Sequence, residues 1–431
     1  MGKRLLGISP LIVFIVFYFG ASIIANDFSK VPIAVAFLVA SIYAVCITGG
    51  MSLPDRVRTY GRGAGTTKMM FMIWIFVIAG AFSRCAQEMG CIQESVDFIL
   101  NVLPTNMIYV SIFIAGCFIS MATGSGLGSI VAVAPIAIAV SEQTGTSTPM
   151  MCALVVCSAM FGDNLSFISD TTIIATTTQG CALKDKFKTN FWIVIIPALC
   201  TLGLYYYIGQ GITAKPPMGE VEYVKIIPYV LVLILAISGV DVLITLTTGI
   251  VVCGILGLVC GSFDFYGWMN AIGSGIESMG SITLIVLMAG GLMALIKHNG
   301  GIDTLLSVCT KFIRGRRSAE ASICVLTGLL CICTANNTIA IMSVADITKG
   351  IATKYKIAPR KAASLMDVSS CIIQEVIPYS AHLLVVASLA KGVFTTDIIP
   401  YVYYVMFLTV SVLICIIFNI PRVKYTSPST P

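Results

Sequence analysis

The sequence predicts an all-α polytopic membrane protein, with about 10–13 transmembrane segments in a single transmembrane domain over residues 1–431. Apolar residues make up 57% of the chain and charged residues 11%, and the mean hydropathy is +0.96. Soluble domains carry about 25% charged residues. Apolar runs long enough to cross about 30 Å of hydrocarbon recur from end to end. Almost the whole chain is therefore expected in the bilayer.

Uninterrupted apolar runs predict most of these segments. They cover about residues 7–25, 31–53, 69–87, 190–209, 226–240, 243–261, 281–297 and 399–420. The first run follows Lys3 and Arg4 but is long for a signal peptide and lacks a small-residue cleavage site, which predicts a retained span. Two further regions, about 93–180 and 302–390, are apolar but interrupted by polar residues and glycine, which predicts unwound helices and re-entrant hairpins.

The two interrupted regions resemble each other at an offset of about 210 residues, which indicates internal repeats over about 70–210 and 281–420. Each copy has a polar turn inside an apolar run, then a helix that opens with proline, then a second polar interruption. In that order, the paired features lie at 121–129 and 333–338, at Thr148 and Ala358, and at 163–172 and 374–380. The shared order predicts two copies of one architecture.

Charge indicates that the two copies are inverted relative to each other. Loops of the first copy are acidic, whereas the matching loops of the second are basic. The acidic residues are Glu88, Glu94, Asp97 and Glu142, and the basic ones include Lys311, Arg314, Arg316, Arg317, Lys349, Lys354, Lys356, Arg360 and Lys361. Basic loops face the cytoplasm.

The same rule places Lys184, Lys186 and Lys188 in a cytoplasmic loop and both termini in the cytoplasm. Inverted repeats with broken helices are typical of secondary transporters. The expected location is the plasma (inner) membrane.

The polar interruptions supply the candidate binding residues. Burying an ionised carboxylate in hydrocarbon costs roughly 2.5–3.5 kcal/mol, so Asp163 and Asp170 need partners or a function. The candidate ion- or substrate-binding residues are Asp163, Asn164, Ser166, Ser169, Asp170, Thr171, Thr172, Thr123, Ser125, Asn336, Asn337, Thr338, Glu375 and Tyr379. Carboxylate, hydroxyl, amide and main-chain oxygens suit a hard cation such as sodium, with Asp163 and Asp170 as its carboxylate ligands.

The same carboxylates could bind protons, because burial or a second carboxylate nearby favours the neutral form. Simpler roles stay open. Asp163 and Asp170 could cap the helix that restarts after the interruption. Glu375 could be a helix-end residue that faces water, and His382 could be satisfied within its own helix. Asp346 and Asp367 could be interhelical hydrogen-bond partners or cavity residues.

The sequence lacks the motifs of other functional classes. The glycines at 124–128 do not have dinucleotide-binding spacing, and the sequence has neither a Walker motif nor a His-Glu-x-x-His zinc motif. No cofactor and no enzymatic activity are expected. The net charge of +6 arises from basic residues in short loops beside the spans, so nucleic acid is not an expected partner. The expected partners are sodium, protons and membrane lipid, and a homodimer is left open.

The first interruption, Phe161-Gly-Asp-Asn-Leu-Ser-Phe-Ile-Ser-Asp-Thr-Thr172, resembles the Gly-Asp-Lys-Met-Ser-Pro-Leu-Ser-Asp-Thr-Thr signature of the NhaC family of sodium/proton antiporters. The resemblance extends over about 70–400 and implies inverted repeats, hairpins and sodium exchange. By position, the matching polar residues are Asp163, Ser166, Ser169, Asp170, Thr171 and Thr172. The sequence departs from the signature at Asn164, where the family often has lysine, and at Phe167, where it has proline.

The expected function is thus sodium/proton antiport by alternating access. The alternative is a sodium- or proton-coupled carrier for an amino acid or a small organic acid, because main-chain amides at the polar turns could bind a carboxylate. A membrane-embedded hydrolase with Asp163 and Asp170 as an acid pair is a third hypothesis. The inverted repeat disfavours the hydrolase.

Overall fold

A computed structural model describes residues 6–25, 31–213, 220–238, 240–301, 304, 313–334, 336–378, 380–421, 423 and 425. These residues form helices and connecting segments, with no β-strand among them. Seven helical stretches are long and apolar enough to cross a membrane, or eight if a pair bent by 54° near the C-terminus counts as one span. Three shorter apolar helices accompany them. The predicted all-α membrane architecture is confirmed.

The first half of the chain contributes ten helices within the described residues. They are α1 (Ser9–Ile24), α2 (Ile33–Ile47), α3 (Leu53–Ala64), α4 (Thr67–Met89), α5 (Cys91–Val102), α6 (Ile108–Thr123), α7 (Gly126–Thr144), α8 (Thr148–Leu165), α9 (Asp170–Gln179) and α10 (Leu183–Gly209).

The second half repeats much of this order. Its described helices are α11 (Ile227–Ser238), α12 (Val242–Val259), α13 (Phe265–Ser278), α14 (Gly280–His298), α15 (Arg316–Thr334), α16 (Asn337–Lys354), α17 (Pro359–Gln374), α18 (Ala381–Leu389), α19 (Thr395–Ile398) and α20 (Tyr403–Phe418). Helices α6 to α9 correspond to α15 to α18 at the offset of about 210 residues.

The caps of these helices show the correspondence at single residues. Ser125 caps α7 and Asn336 caps α16, each by accepting from a main-chain N–H in the first turn. Ser169 caps α9 and Ser380 caps α18 in the same way. Short polar side chains are preferred at such positions because they satisfy N–H groups that lack a helical partner. The two halves therefore build their turns and breaks with the same local chemistry.

The halves interlock through reciprocal contacts between glycines. Helix α3 of the first half packs on α14 of the second, and α13 of the second half packs on α4 of the first. A methyl group on Gly290 would lie 2.8 Å from the main-chain oxygen of Gly63, and one on Gly275 would lie 2.4 Å from the main-chain oxygen of Gly80. Small residues let membrane helices approach closely. This exchange of equivalent pairs is the packing expected of two inverted repeats around one pseudo-twofold axis.

Each half contains a helical hairpin followed by a broken helix. Gly124 ends α6 with a left-handed backbone (φ +66°), which turns the chain into α7. Pro149 and Pro359 lie in the first turns of α8 and α17, where proline is tolerated because the missing N–H would be unpaired anyway. Helix α8 ends at Leu165 and α9 begins at Asp170, while α17 ends at Gln374 and α18 begins at Ala381. The predicted hairpins and unwound helices are therefore present.

Two sequence interpretations need correction. The apolar run predicted as one span over 31–53 ends at Ile47, and an amphipathic helix, α3, follows it. Arg56 binds the main-chain oxygens of Val45 and Cys46 at 2.9 and 3.1 Å, so the end of α2 is satisfied by a side chain from α3. Lys361, counted as a loop charge, is fully buried and pairs with Glu320 at 3.0 Å.

Candidate functional site

A cavity of about 460 Å³ lies where the hairpins meet the broken helices. Both breaks and both hairpin turns contribute to its wall, through Asp163 and Asp170 on one side and residues 336–338 on the other. The first turns of α7 and α16 also open onto the cavity, at Gly126 and Thr338. Polar residues far apart in the chain are therefore brought to one cavity, which apolar side chains such as Ile282 and Ile339 also line.

Asp163 lies in the last turn of α8 and is 2% exposed. Its Oδ1 has no hydrogen-bond partner within the described part of the chain. A buried carboxylate oxygen without a partner is unfavourable, so the geometry favours a cation or a proton at this position. Gly126 makes room for the carboxylate, because a methyl group there would lie 2.5 Å from Asp163 Oδ2.

Asp170 lies in the first turn of α9 and connects the two halves. Its Oδ1 accepts from the main-chain N–H of Thr171 at 2.8 Å, and its Oδ2 accepts from the Thr338 hydroxyl at 2.7 Å. The cap of α9 is Ser169, whose Oγ accepts from Thr172 N at 3.3 Å. Capping therefore does not account for Asp163, which stands inside α8, and only partly accounts for Asp170.

The turn of the second hairpin places three predicted residues on the cavity wall. Asn336 caps α16 through Ile339 N at 3.0 Å, and Asn337 accepts from Thr338 N at 2.8 Å. With Ser125, Asp163 and Asp170, these three residues are the predicted site residues that line the cavity. Their oxygens are carboxylate, amide and hydroxyl groups, which are the ligands of hard cations.

Other predicted residues hold the break in shape instead of lining the cavity. The main-chain oxygen of Asp163 accepts from Ser169 Oγ at 2.9 Å and from Thr172 Oγ1 at 3.1 Å. Ser166 donates to Met121 O at 3.0 Å, which fastens the break to the first hairpin. Three more have local partners: Thr123 bonds Ser129 at 2.9 Å, Thr171 bonds Ser169 at 3.3 Å, and Asn164 donates to Met160 O at 2.9 Å.

Glu375 contacts His382, for which the sequence predicted a partner within the helix of His382 itself. His382 lines the cavity, and its Nδ1 is 2.6 Å from Glu375 Oε1. Glu375 itself is fully buried and is not among the described residues of the cavity wall. Gln374 does line the cavity. It precedes Ser380, the cap of α18, by as many residues as Asp163 precedes Ser169, the cap of α9. Tyr379 lies outside the described residues.

Lys186 corrects the loop assignment most sharply. It is 1% exposed, and its Nζ lies 2.6 Å from Asp367 Oδ2 of α17. The same ammonium donates at 2.9 Å to the main-chain oxygen of Asn164, the residue that stands where the NhaC signature has lysine. The sequence alone places Lys186 and Asn190 on one helix face, four residues apart, but does not show what that face contacts. Asp346 is exposed on α16.

Known proteins resemble this chain over most of its length. The Na(+)/H(+) antiporter NhaC of Alkalihalophilus pseudofirmus is 22% identical over 421 residues, which cover 90% of this chain and 89% of that protein. The Na(+)/H(+) antiporter NhaC of Bacillus subtilis is 24% identical and covers 79% and 81% of the two chains. A malate-2H(+)/Na(+)-lactate antiporter of Bacillus subtilis is 22% identical over 46% of this chain and 42% of its own.

Solved structures share the fold. The Alcanivorax borkumensis YdaH transporter superposes with a TM-score of 0.68 at 12% identity, over 90% of this chain and 98% of that one. Neisseria gonorrhoeae MtrF gives a TM-score of 0.65 at 11% identity, over 92% and 96%. The model of the Na+/H+ antiporter family matches twice, at residues 4–210 and 211–420, so each half of the chain carries the family pattern. The chain therefore belongs to the Na+/H+ antiporter family.

Proposed function

We propose that Asp163 and Asp170 form the ion-binding centre at which this sodium/proton antiporter exchanges its two ions. The observation that carries the proposal is Asp163 Oδ1, a buried carboxylate oxygen that has no hydrogen-bond partner among the described residues, on a residue that lines the cavity. A carboxylate in such a position binds either a cation or a proton, because the bare charge is poorly solvated there. Sodium and protons therefore compete for one group.

The neighbouring oxygens supply the rest of a sodium site. Thr338 holds one oxygen of Asp170, so the aspartate of the first half is oriented by the second half. Ser125, Asn336 and Asn337 add hydroxyl and amide groups to the same cavity. Because both halves contribute ligands, binding depends on how the halves are arranged. That dependence is what alternating access requires of a binding site between inverted repeats.

The test uses proteoliposomes that contain a pH-sensitive dye. Inward sodium gradients should move protons outward with the wild-type protein, and a choline gradient of equal ionic strength should not. Asp163→Asn and Asp170→Asn should each lower kcat/KM for sodium by at least about a hundredfold, since an ion loses its charged partner. Asp346→Asn is the matched control, because this carboxylate is exposed. Full exchange by either cavity variant would contradict the assignment.

A small organic anion is a second candidate cargo. The cavity of about 460 Å³ is much larger than a water molecule, which occupies about 30 Å³ in the liquid, and two helix N-termini open onto it. One relative is named as a malate-2H(+)/Na(+)-lactate antiporter. Uptake of labelled lactate or malate that depends on a sodium gradient would support this cargo. If neither acid is taken up and neither changes proton exchange, an organic anion is excluded as a cargo.

The arrangement in the membrane also stays a prediction. The charge pattern supports cytoplasmic termini, and insertion in the plasma membrane is a second prediction. Protease protection of terminal tags in oriented vesicles would test the first prediction. Light scattering of the purified protein in detergent would test the homodimer.

A further inference from the structure

A fully buried ammonium group stands beside the transport cavity. Lys186, in the first turns of α10, donates to three oxygens: Asp367 Oδ2 at 2.6 Å, Thr172 Oγ1 at 2.6 Å and Asn164 O at 2.9 Å. A lysine ammonium has three N–H donors, and each of them has an acceptor here. Its environment is therefore complete without water.

The three acceptors come from three different elements. Asn164 O belongs to the last turn of α8, where main-chain oxygens lack helical partners, and Thr172 belongs to the first turn of α9. Asp367 belongs to α17 in the other half of the chain. The ammonium thus closes the break between α8 and α9 and ties it to the second repeat.

A second side chain from α10 completes the cluster. Asn190 donates to Asn164 O at 2.8 Å and to Asp367 Oδ2 at 3.0 Å, and its own amide oxygen accepts from the Ser364 hydroxyl. Asp367 and Asn190 are 0% exposed. Carboxylate, hydroxyl and carbonyl oxygens around one positive charge make the same ligand set that a sodium ion takes.

We infer that this cluster is a second cation position, occupied by the Lys186 ammonium as a tethered ion. Lys186 then compensates the charge of Asp367, and transported sodium does not bind to Asp367. Neither Lys186 nor Asp367 is among the described residues that line the cavity. The inference is separate from the assignment of Asp163 and Asp170, and either could fail alone.

One consequence concerns the number of ions that the protein binds. While the ammonium is in place, sodium binding is confined to the cavity. Removing the side chain while keeping Asp367 leaves a carboxylate, a hydroxyl and a carbonyl oxygen around a vacated space. A sodium ion has the charge of the ammonium and prefers those oxygens, so it should take the position. Lys186 is therefore a positioning residue that also excludes an ion.

The experiment counts bound sodium. Purified wild-type protein, Lys186→Ala and Lys186→Ala/Asp367→Asn are dialysed against radioactive sodium at equal ionic strength, and bound ions per chain are measured. Lys186→Ala should bind one more sodium than wild type, and the double variant should return to the wild-type number. An equal count for wild type and Lys186→Ala would overturn the inference, as would an extra ion in the double variant.

Protein stability supplies the second readout. Sodium chloride should raise the thermal unfolding midpoint of Lys186→Ala more than that of wild type, while choline chloride should not. If Lys186→Ala fails to fold in sodium, a sodium ion does not replace the ammonium, and the inference is wrong whether or not the double variant folds. Transport by Asp163→Asn and Asp170→Asn is measured separately, so the two assignments are distinguished.

Discussion

Thr338 is the residue through which one half of the chain orients the candidate carboxylate of the other. Its hydroxyl donates to Asp170 Oδ2 at 2.7 Å. Valine has nearly the same shape but lacks this donor, and hydrogen bonds to charged groups contribute about 1.5–3 kcal/mol. We expect Thr338→Val to raise the KM for sodium about tenfold or more in proteoliposomes. Thr327→Val is the control, because among the described residues the Thr327 hydroxyl bonds only Ile323 O of its own helix. Equal KM values for the two variants would contradict the role.

His382 stabilises the buried Glu375 beside the cavity. The two side chains are 2.6 Å apart, and Glu375 Oε2 has no hydrogen-bond partner within the described residues. Removing the imidazole leaves the other carboxyl oxygen unsatisfied, which costs about 1–3 kcal/mol. We expect His382→Ala to lower the thermal unfolding midpoint in detergent. His298→Ala should not lower it, because His298 is exposed at the end of α14. Equal midpoints for the two variants would show that Glu375 is satisfied without the histidine.

The sequence singles out Asp163, Asp170 and Thr338, which binds Asp170, but it does not reveal the buried ion pair of Lys186 and Asp367. Asp163 and Asp170 could be predicted because charge inside an apolar run is costly and therefore conspicuous. Lys186 stands between Lys184 and Lys188, so it was interpreted as a loop charge, and only the packing of α17 against α10 reveals Asp367 as its partner. Most of the serines and threonines of the break bond inward to the backbone. Composition cannot distinguish a hydroxyl that holds a turn from one that faces a cavity.

The order of helices, hairpins and breaks was predictable because each is marked by local chemistry. Prolines at 149 and 359 mark helix starts, and the capping residues Ser169 and Ser380 mark restarts. Helix α3 was missed because hydrophobicity alone does not separate the end of α2 from a short amphipathic helix. The end of α2 is marked by its contact with Arg56, and this contact forms only once the chain has folded back.

The first hairpin packs closely against Asp163 at Gly126, the first residue of α7. A methyl group there would lie 2.5 Å from Asp163 Oδ2 and 3.1 Å from Asp163 Cγ. Alanine favours a helix over glycine by about 1 kcal/mol, so helix α7 itself is not weakened. We expect Gly126→Ala to displace the carboxylate and to lower sodium-driven proton flux at least about tenfold. Gly203→Ala is the control, since a methyl group added there in α10 would meet no other part of the described chain within 4 Å. Similar proton flux from both variants would show that Gly126 does not affect ion binding.

At the scale of the whole molecule, the two halves are alike but the cavity is not symmetric. Its wall includes residues 31–33, at the start of α2, and Ser278 at the end of α13. The corresponding junction of the first half, between α3 and α4 at Thr66, is not among the described residues that line it. Two inverted repeats that open a cavity toward one end can open it toward the other by exchanging their conformations. We therefore expect this structure to represent one of two access states.

Labelling of cysteines tests which side this cavity faces. The charge pattern places residues 31–33 outside and the α3–α4 junction inside. In a background without reactive native cysteines, Ser278→Cys should react with a membrane-impermeant thiol reagent added to intact cells. Thr66→Cys, at the equivalent exposed position of the first half, should react only in inverted vesicles. Reaction of Ser278→Cys only in inverted vesicles would show that the chain has the opposite orientation.

If the cavity serves exchange, sodium should also change the labelling rate of Ser278→Cys. Asp163→Asn should abolish that change, because the ion then lacks its carboxylate.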